Sequence, residues 1–148
     1  MSDEMALLIA DVYEAAGVLR RWGESVAAAE GQTQSRWQVV SVVSDVPLTV
    51  PSAARRLGIS RQAVQRTVNE LADDGLVRLA PNPDHRTAAL IELTDRGREV
   101  LARMTRRATK VHRELAAAIP IADIVPAREF LQRLVTHVRA TEHAPSGS

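Results

Sequence analysis

Two short amphipathic segments lie back to back near the middle of the chain, joined through Leu57-Gly58-Ile59-Ser60, and this junction narrows the possible folds more than any other feature. Thr49 is placed to cap the first segment, and Pro51 falls in its first turn, where a missing N–H costs nothing. Ala54 and Leu57 carry the apolar side of that segment to Gly58, a residue suited to ending a helix. Ser60 then opens a second helix. A helix end, a turn of a few residues and a serine cap in this order make a helix-turn-helix.

On the second helix Val64, Val68 and Leu71 share one face. Gln62, Gln65, Arg66 and Asn69 project within about 100° of one another on the opposite face, at about 3.6 residues per turn. That polar face holds no carboxylate. An ordinary solvated helix would mix Glu with Lys there, whereas Arg suits guanine and Gln or Asn suit adenine at base edges. The surrounding charge agrees with this. From Val46 to Asn69 there is no Asp or Glu, yet Arg55, Arg56, Arg61 and Arg66 all occur, so a positive segment sits inside a chain of net charge +1. A chance gap in the acids of an Arg-rich chain would look the same, so charge supports the motif without replacing it.

Leu8, Val12, Ala15, Leu19, Trp22 and Val26 alternate at spacings of four and three, which predicts a long amphipathic helix from about Asp3 to Ala29, ended by Gly31. Thr33 or Ser35 can cap a second helix that buries Trp37, Val40 and Val43 before Asp45 to Pro47 breaks it. After Gly75, Leu76 to Ala80 and Ala88 to Leu93 read as two strands. The intervening Pro81-Asn82-Pro83-Asp84-His85-Arg86-Thr87 is predicted as an extended polar wing with a basic tip, too long for a tight turn. Thr94 should cap a long helix with Val100, Leu101, Met104, Val111 and Leu115 along its buried side, ended by Pro120. A last helix should start near Asp123 with Pro126 in its first turn and present Phe130, Leu131, Leu134, Val135 and Val138.

The fold class predicted is mainly α with a small β-wing (α+β). A winged helix-turn-helix occupies 31–95, an N-terminal dimerisation helix 1–30, C-terminal dimerisation helices 96–142, and a disordered tail 143–148. The flanking helices carry more apolar surface than a small winged core can cover, so a homodimer is expected. With 45% apolar and 25% charged residues the chain should bury a core. It has no apolar run of about 18 residues, and its first residues are acidic where a secretory signal would be basic, which points to the cytoplasm. The lack of Cys removes disulfides, thiolate metal sites and thiol switches. His85, His112, His137 and His143 are dispersed without metal-ligand spacing, and no phosphate-binding glycine loop occurs, so no enzyme, metal or cofactor is expected. Arg103, Arg106, Arg107, Lys110 and Arg113 form a basic run that reads as a solvated face or as an anion site. Tyr13, Trp22 and Trp37 sit at core spacing, although they could line a ligand cleft.

The run Leu57 to Val64, then Leu71 with Gly75-Leu76-Val77, Asn82-Pro83-Asp84-His85-Arg86 and Leu93-Thr94-Asp95-Arg96-Gly97, resembles the MarR (multiple antibiotic resistance regulator) family in content, order and spacing. The resemblance spans about residues 5 to 142, and its most specific part is Asp-x-Arg followed at a fixed distance by Leu-Thr-x-x-Gly. It implies a homodimer with interleaved terminal helices and two winged lobes on one pseudo-palindromic, double-stranded DNA operator. Position by position, it implies the helix from Arg61 to Asp74 in the major groove, with Ser60, Arg61, Gln62, Gln65, Arg66 and Asn69 at the DNA. Arg86 is implied in the minor groove, with Asp84 holding it and His85 at a variable position. Thr49 and Ser52, with the helix N-terminus near Ser35 and Arg36, are candidate phosphate clamps, because helix N-termini offer free N–H groups to anions. The function implied is a sequence-specific transcriptional regulator, a repressor before an activator, with a small aromatic or anionic effector as a possible partner. A winged helix for protein contacts or for non-specific DNA packaging is the alternative, and equal affinity for random and selected duplexes would favour it.

Overall fold

The computed structural model describes residues 3–143. Among them are six helices and one two-stranded antiparallel sheet. The first helix, α1 (Glu4–Ala28), starts where the Asp3 carboxylate accepts the N–H groups of Met5 and Ala6. Gly31, at φ 69°, turns the chain out of the helix. Thr33 caps α2 (Gln34–Val42), Thr49 caps α3 (Val50–Leu57) and Ser60 caps α4 (Arg61–Asp73), each hydroxyl accepting a first-turn N–H. Gly58, at φ 68°, closes α3 in the left-handed conformation that a residue with a Cβ adopts at a cost.

By its internal contacts the chain divides into two units, up to Ala108 and from Thr109 on. In the first unit, one core is assembled from Val39, Val40 and Val43, from Ala53 and Ala54, and from Val64, Val68 and Leu71 of α4. Leu76, Ile91 and Leu93 of the hairpin region close it, and Val100 and Met104 of α5 (Asp95–Ala118) pack on it. Burying a side chain of this size stabilises by about 1.5–3 kcal/mol, so the apolar face of α4 fixes which face is left outward. Trp22 and Trp37 meet edge to face at 6.2 Å, joining α1 to α2, so both serve packing. Tyr13 differs: it is 75% exposed.

The hairpin departs from the sequence expectation. Strand β1 (Val77–Asn82) pairs with β2 (His85–Leu93), and Asn82 lies opposite His85, so the wing closes in a two-residue turn at Pro83 and Asp84. The register is irregular between Ala80 and Asn82. Pro81 lies there, where its missing N–H breaks no ladder bond. Pro83 brings a preset φ to the turn, and the Asn82 side chain accepts the Asp84 N–H at 3.0 Å. Ile91 also donates to Leu48 at 2.7 Å, tying the hairpin to the segment just before α3.

Thr94 does double duty at the start of α5. Its hydroxyl donates to the Gly75 carbonyl at 2.6 Å and accepts the Gly97 N–H at 3.0 Å. Gly97 presses so closely on the Leu76 backbone that a Cβ there would stand 2.0 Å from the Leu76 oxygen. The apolar stripe of α5 is buried at Val100 and Met104, but Leu115 is exposed, contrary to expectation. In the second unit, α6 (Ile121–Glu142) begins two residues earlier than the sequence reading placed it, so Pro126 falls inside the helix. No residue of α6 is buried. No described helix is long and apolar enough to cross a membrane. The tail expected over 143–148 lies, apart from His143, outside the described residues.

Candidate nucleic-acid interface

With Val64, Thr67, Val68 and Leu71 buried, the opposite side of α4 presents Arg61, Gln62, Gln65, Arg66 and Asn69, all exposed. The Gln65 amide donates to the Asn69 side-chain oxygen at 2.9 Å. This bond couples the two side chains along the helix and uses neither the Gln65 carbonyl nor the Asn69 amide N–H groups. Ser60, at the head of the helix, accepts the Ala63 N–H with its hydroxyl, which keeps its own O–H to donate.

A groove runs beside this surface between the start of α3 and the wing, lined by Thr49, Ser52, Arg55, Asn82, Asp84 and His85 among others. Thr49 accepts the Ser52 N–H at 3.3 Å and donates to the Ser52 hydroxyl at 3.1 Å. The Ser52 hydroxyl hydrogen is thereby turned toward other acceptors, which suits a phosphate oxygen. At the wing Asp84, His85 and Arg86 are all exposed. Among the described residues no ion pair joins Asp84 to Arg86, whereas at the base of the hairpin Arg78 pairs with Glu92 across the strands at 3.0 Å. The backbone N–H of Asp84 donates to the Asn82 side chain in the turn, and its carboxylate stays exposed two residues from Arg86.

The N-terminal turn of α2 is used internally. The Gln34 N–H donates to the Glu24 carboxylate at 3.1 Å, and the Arg36 N–H to the Thr33 hydroxyl at 3.2 Å. The Arg36 side chain, 13% exposed, pairs with the Asp74 carboxylate at the far end of α4. Ser35 is exposed, but Arg36 is directed into the lobe and not toward an anion outside it.

The sequence reading did not find these polar joints. Glu30 accepts the Nε–H groups of Arg103 and Arg107, each at 2.9 Å, so part of the basic run on α5 serves an internal contact. The Arg107 and then the Arg103 hydrogen bonds hold the Glu30 carboxyl below its ordinary pKa. Among the described residues no cluster of potential metal ligands occurs.

The MarR family model matches residues 31–86, the stretch holding α2, α3, α4 and the first part of the wing. An uncharacterized protein of Mycobacterium tuberculosis is 55% identical over 140 residues, 95% of this chain and 98% of the relative. The transcriptional activatory protein BadR of Rhodopseudomonas palustris is 27% identical over 92% of this chain and 81% of its own length. In fold the chain is similar to the transcriptional regulator BldR from Sulfolobus solfataricus, with a TM-score of 0.82 and 18% identity, over 93% of this chain and 99% of that one. The chain belongs to the MarR family. MarR proteins are transcriptional regulators, and the helix-turn-helix and wing described above are this family's winged-helix unit.

Proposed function

We propose that this MarR-family protein is a homodimeric regulator that reads double-stranded DNA with the outward face of α4 and steadies itself with the wing. One observation carries the reading. The surface formed by Arg61, Gln62, Gln65, Arg66 and Asn69 is exposed, and α4 carries no carboxylate from its start to Asn69, its acids Glu70 and Asp73 lying toward the C-terminal end. α4 then lies in the major groove, Arg86 enters the adjacent minor groove, and Thr49, Ser52 and Ser60 meet phosphates. His85 lies beside the backbone at the wing tip. Ser35 offers its exposed hydroxyl to a further phosphate.

Dimerisation is supported by apolar surface with nothing over it within one chain. Met5, Leu7 and Leu19 on α1 are each about half exposed, as are Val135 and Val138 on α6. The direction of control is proposed as repression by occupancy, with residence beside DNA in the cytoplasm. The activatory relative makes direction a question for a reporter assay.

Selection of bound duplexes from a random pool tests the reading. A pseudo-palindrome with half-site centres about 10 base pairs apart is the expected result, because two-fold protein symmetry is mirrored in the operator. Recovery of unrelated sequences, bound no better than the starting pool, would establish the non-specific packaging alternative.

A further inference from the structure

The C-terminal end of α4 carries Asp73 and Asp74, negative charges at the negative end of the helix dipole, and no basic residue in its own last turn. Left alone, this end would be poorly anchored. Two arginines from elsewhere in the fold correct it. Arg36, in the first turn of α2, pairs with the Asp74 carboxylate, and Arg96, in the first turn of α5, donates to the Asp74 carbonyl at 3.0 Å. One residue on, the Gly75 carbonyl accepts from Thr94 at 2.6 Å. Arg36 is itself held in place, since Thr33 accepts its backbone N–H and Glu24 of α1 accepts the N–H of Gln34 beside it. The side chain is drawn in so far that its Nε is buried without a partner, which commits the guanidinium to Asp74.

We propose that Arg36 is a positioning residue for DNA reading: through Asp74 it fixes the C-terminal end, and hence the direction, of the recognition helix, and it is not a phosphate ligand. The inference rests on α4 being the recognition helix. It also gives α1 a continuous polar connection, through Glu24, the α2 turn and Arg36, to the helix that meets the bases. A helix pinned at its Ser60 end but loose at Asp74 would still touch DNA. It would lose discrimination before it lost general affinity, because base contacts need angular precision and phosphate contacts do not.

The two roles predict opposite signs for one mild change. Asp74→Asn, at a half-exposed position, releases the Arg36 guanidinium while keeping the side-chain shape. If Arg36 positions α4, Asp74→Asn and Arg36→Ala each lower the ratio of affinities for a selected and a random duplex by about threefold to tenfold, as expected for a partly exposed pair. The double variant is then little worse than either single one, and the salt slope of Arg36→Ala matches that of the parent. If Arg36 is a phosphate clamp, Asp74→Asn tightens binding, and Arg36→Ala lowers the slope of log affinity against log salt by about 0.9. Either of these results overturns the proposal, as does an unchanged selectivity in both variants. Amide exchange in the DNA-free protein gives a second readout. The Asp74, Gly75 and Leu76 N–H groups, bonded to Glu70, Ala72 and Leu71, should exchange about threefold to tenfold faster in both variants. Unchanged protection there would sink the proposal even if the parent protein shows no selectivity, an outcome that would count separately against the DNA reading.

Discussion

Arg66 and Arg86 are both exposed arginines on the proposed DNA side, yet their settings assign them different work. Arg66 stands on a helix whose opposite face is locked in the core by Val64, Val68 and Leu71, so its position is fixed to the accuracy of that packing. Arg66→Ala should therefore cost about 1–3 kcal/mol on the selected site and flatten the preference at one or two base positions. Arg86 lies in β2, two residues past the Pro83-Asp84 turn, and the minor groove offers it width and potential rather than a base code. Arg86→Ala should weaken many sequences, most of all those with an A·T-rich flank. Titration of both variants against a selected duplex and a flank-substituted one separates the two patterns. Loss of base preference in Arg86→Ala, or its absence in Arg66→Ala, would reverse the assignment. The outward side chains of α4 are legible from sequence because an amphipathic helix declares its outward face. Arg36 is not, since its partner Asp74 lies 38 residues away and only the folded chain brings them together.

At the scale of elements, the caps and stops were legible because Thr, Ser and Gly act on their immediate neighbours. Thr33, Thr49, Ser60, Gly58 and Gly31 all mark the boundaries their chemistry suggests. The hairpin reads as a loop in the sequence because two prolines and five polar residues fall together, whereas in the fold Pro81 lies where the register slips and Pro83 in the turn. Pro126 misled in the same way, for the first turn of α6 lies upstream of it. The Leu-Thr-x-x-Gly stretch now has a physical basis in the Thr94 bridge and the close approach of Gly97 to Leu76. Gly97→Ala must move backbone, so it should destabilise the fold by about 3 kcal/mol or more, read as a shift in the urea midpoint. A midpoint equal to the parent's would show that α5 can shift away freely.

The Glu30 joint between the end of α1 and α5 makes a second prediction, with a definite sign. Hydrogen bonds from Arg107 and then Arg103 hold its carboxyl below the ordinary carboxylate pKa in the folded protein. The stability it contributes is therefore present above the unfolded-state value and is lost as pH falls through the folded one. Glu30→Gln should lower the urea midpoint at pH 7, and the gap from the parent should close as the pH falls below the ordinary carboxylate value and through the lowered one. A gap that stays constant over that range would mean that the charge on Glu30 is not what joins α1 to α5.

For the whole molecule, the amount of apolar surface left on α1 and α6 decides the account. The sequence made this visible as stripes longer than a winged core requires, and α6 indeed buries none of its residues within one chain. A dimer burying about 2,000 Å² or more should persist in sedimentation at micromolar concentration and moderate salt. A monomer under those conditions would leave the two-fold operator without a cause. The central claim, that the face of α4 from Arg61 to Asn69 reads sequence, is tested most directly by the equilibrium affinity of the intact protein for a selected duplex and its scrambled counterpart at physiological salt. The account predicts a ratio of about 10³ or more; a ratio near one would contradict it.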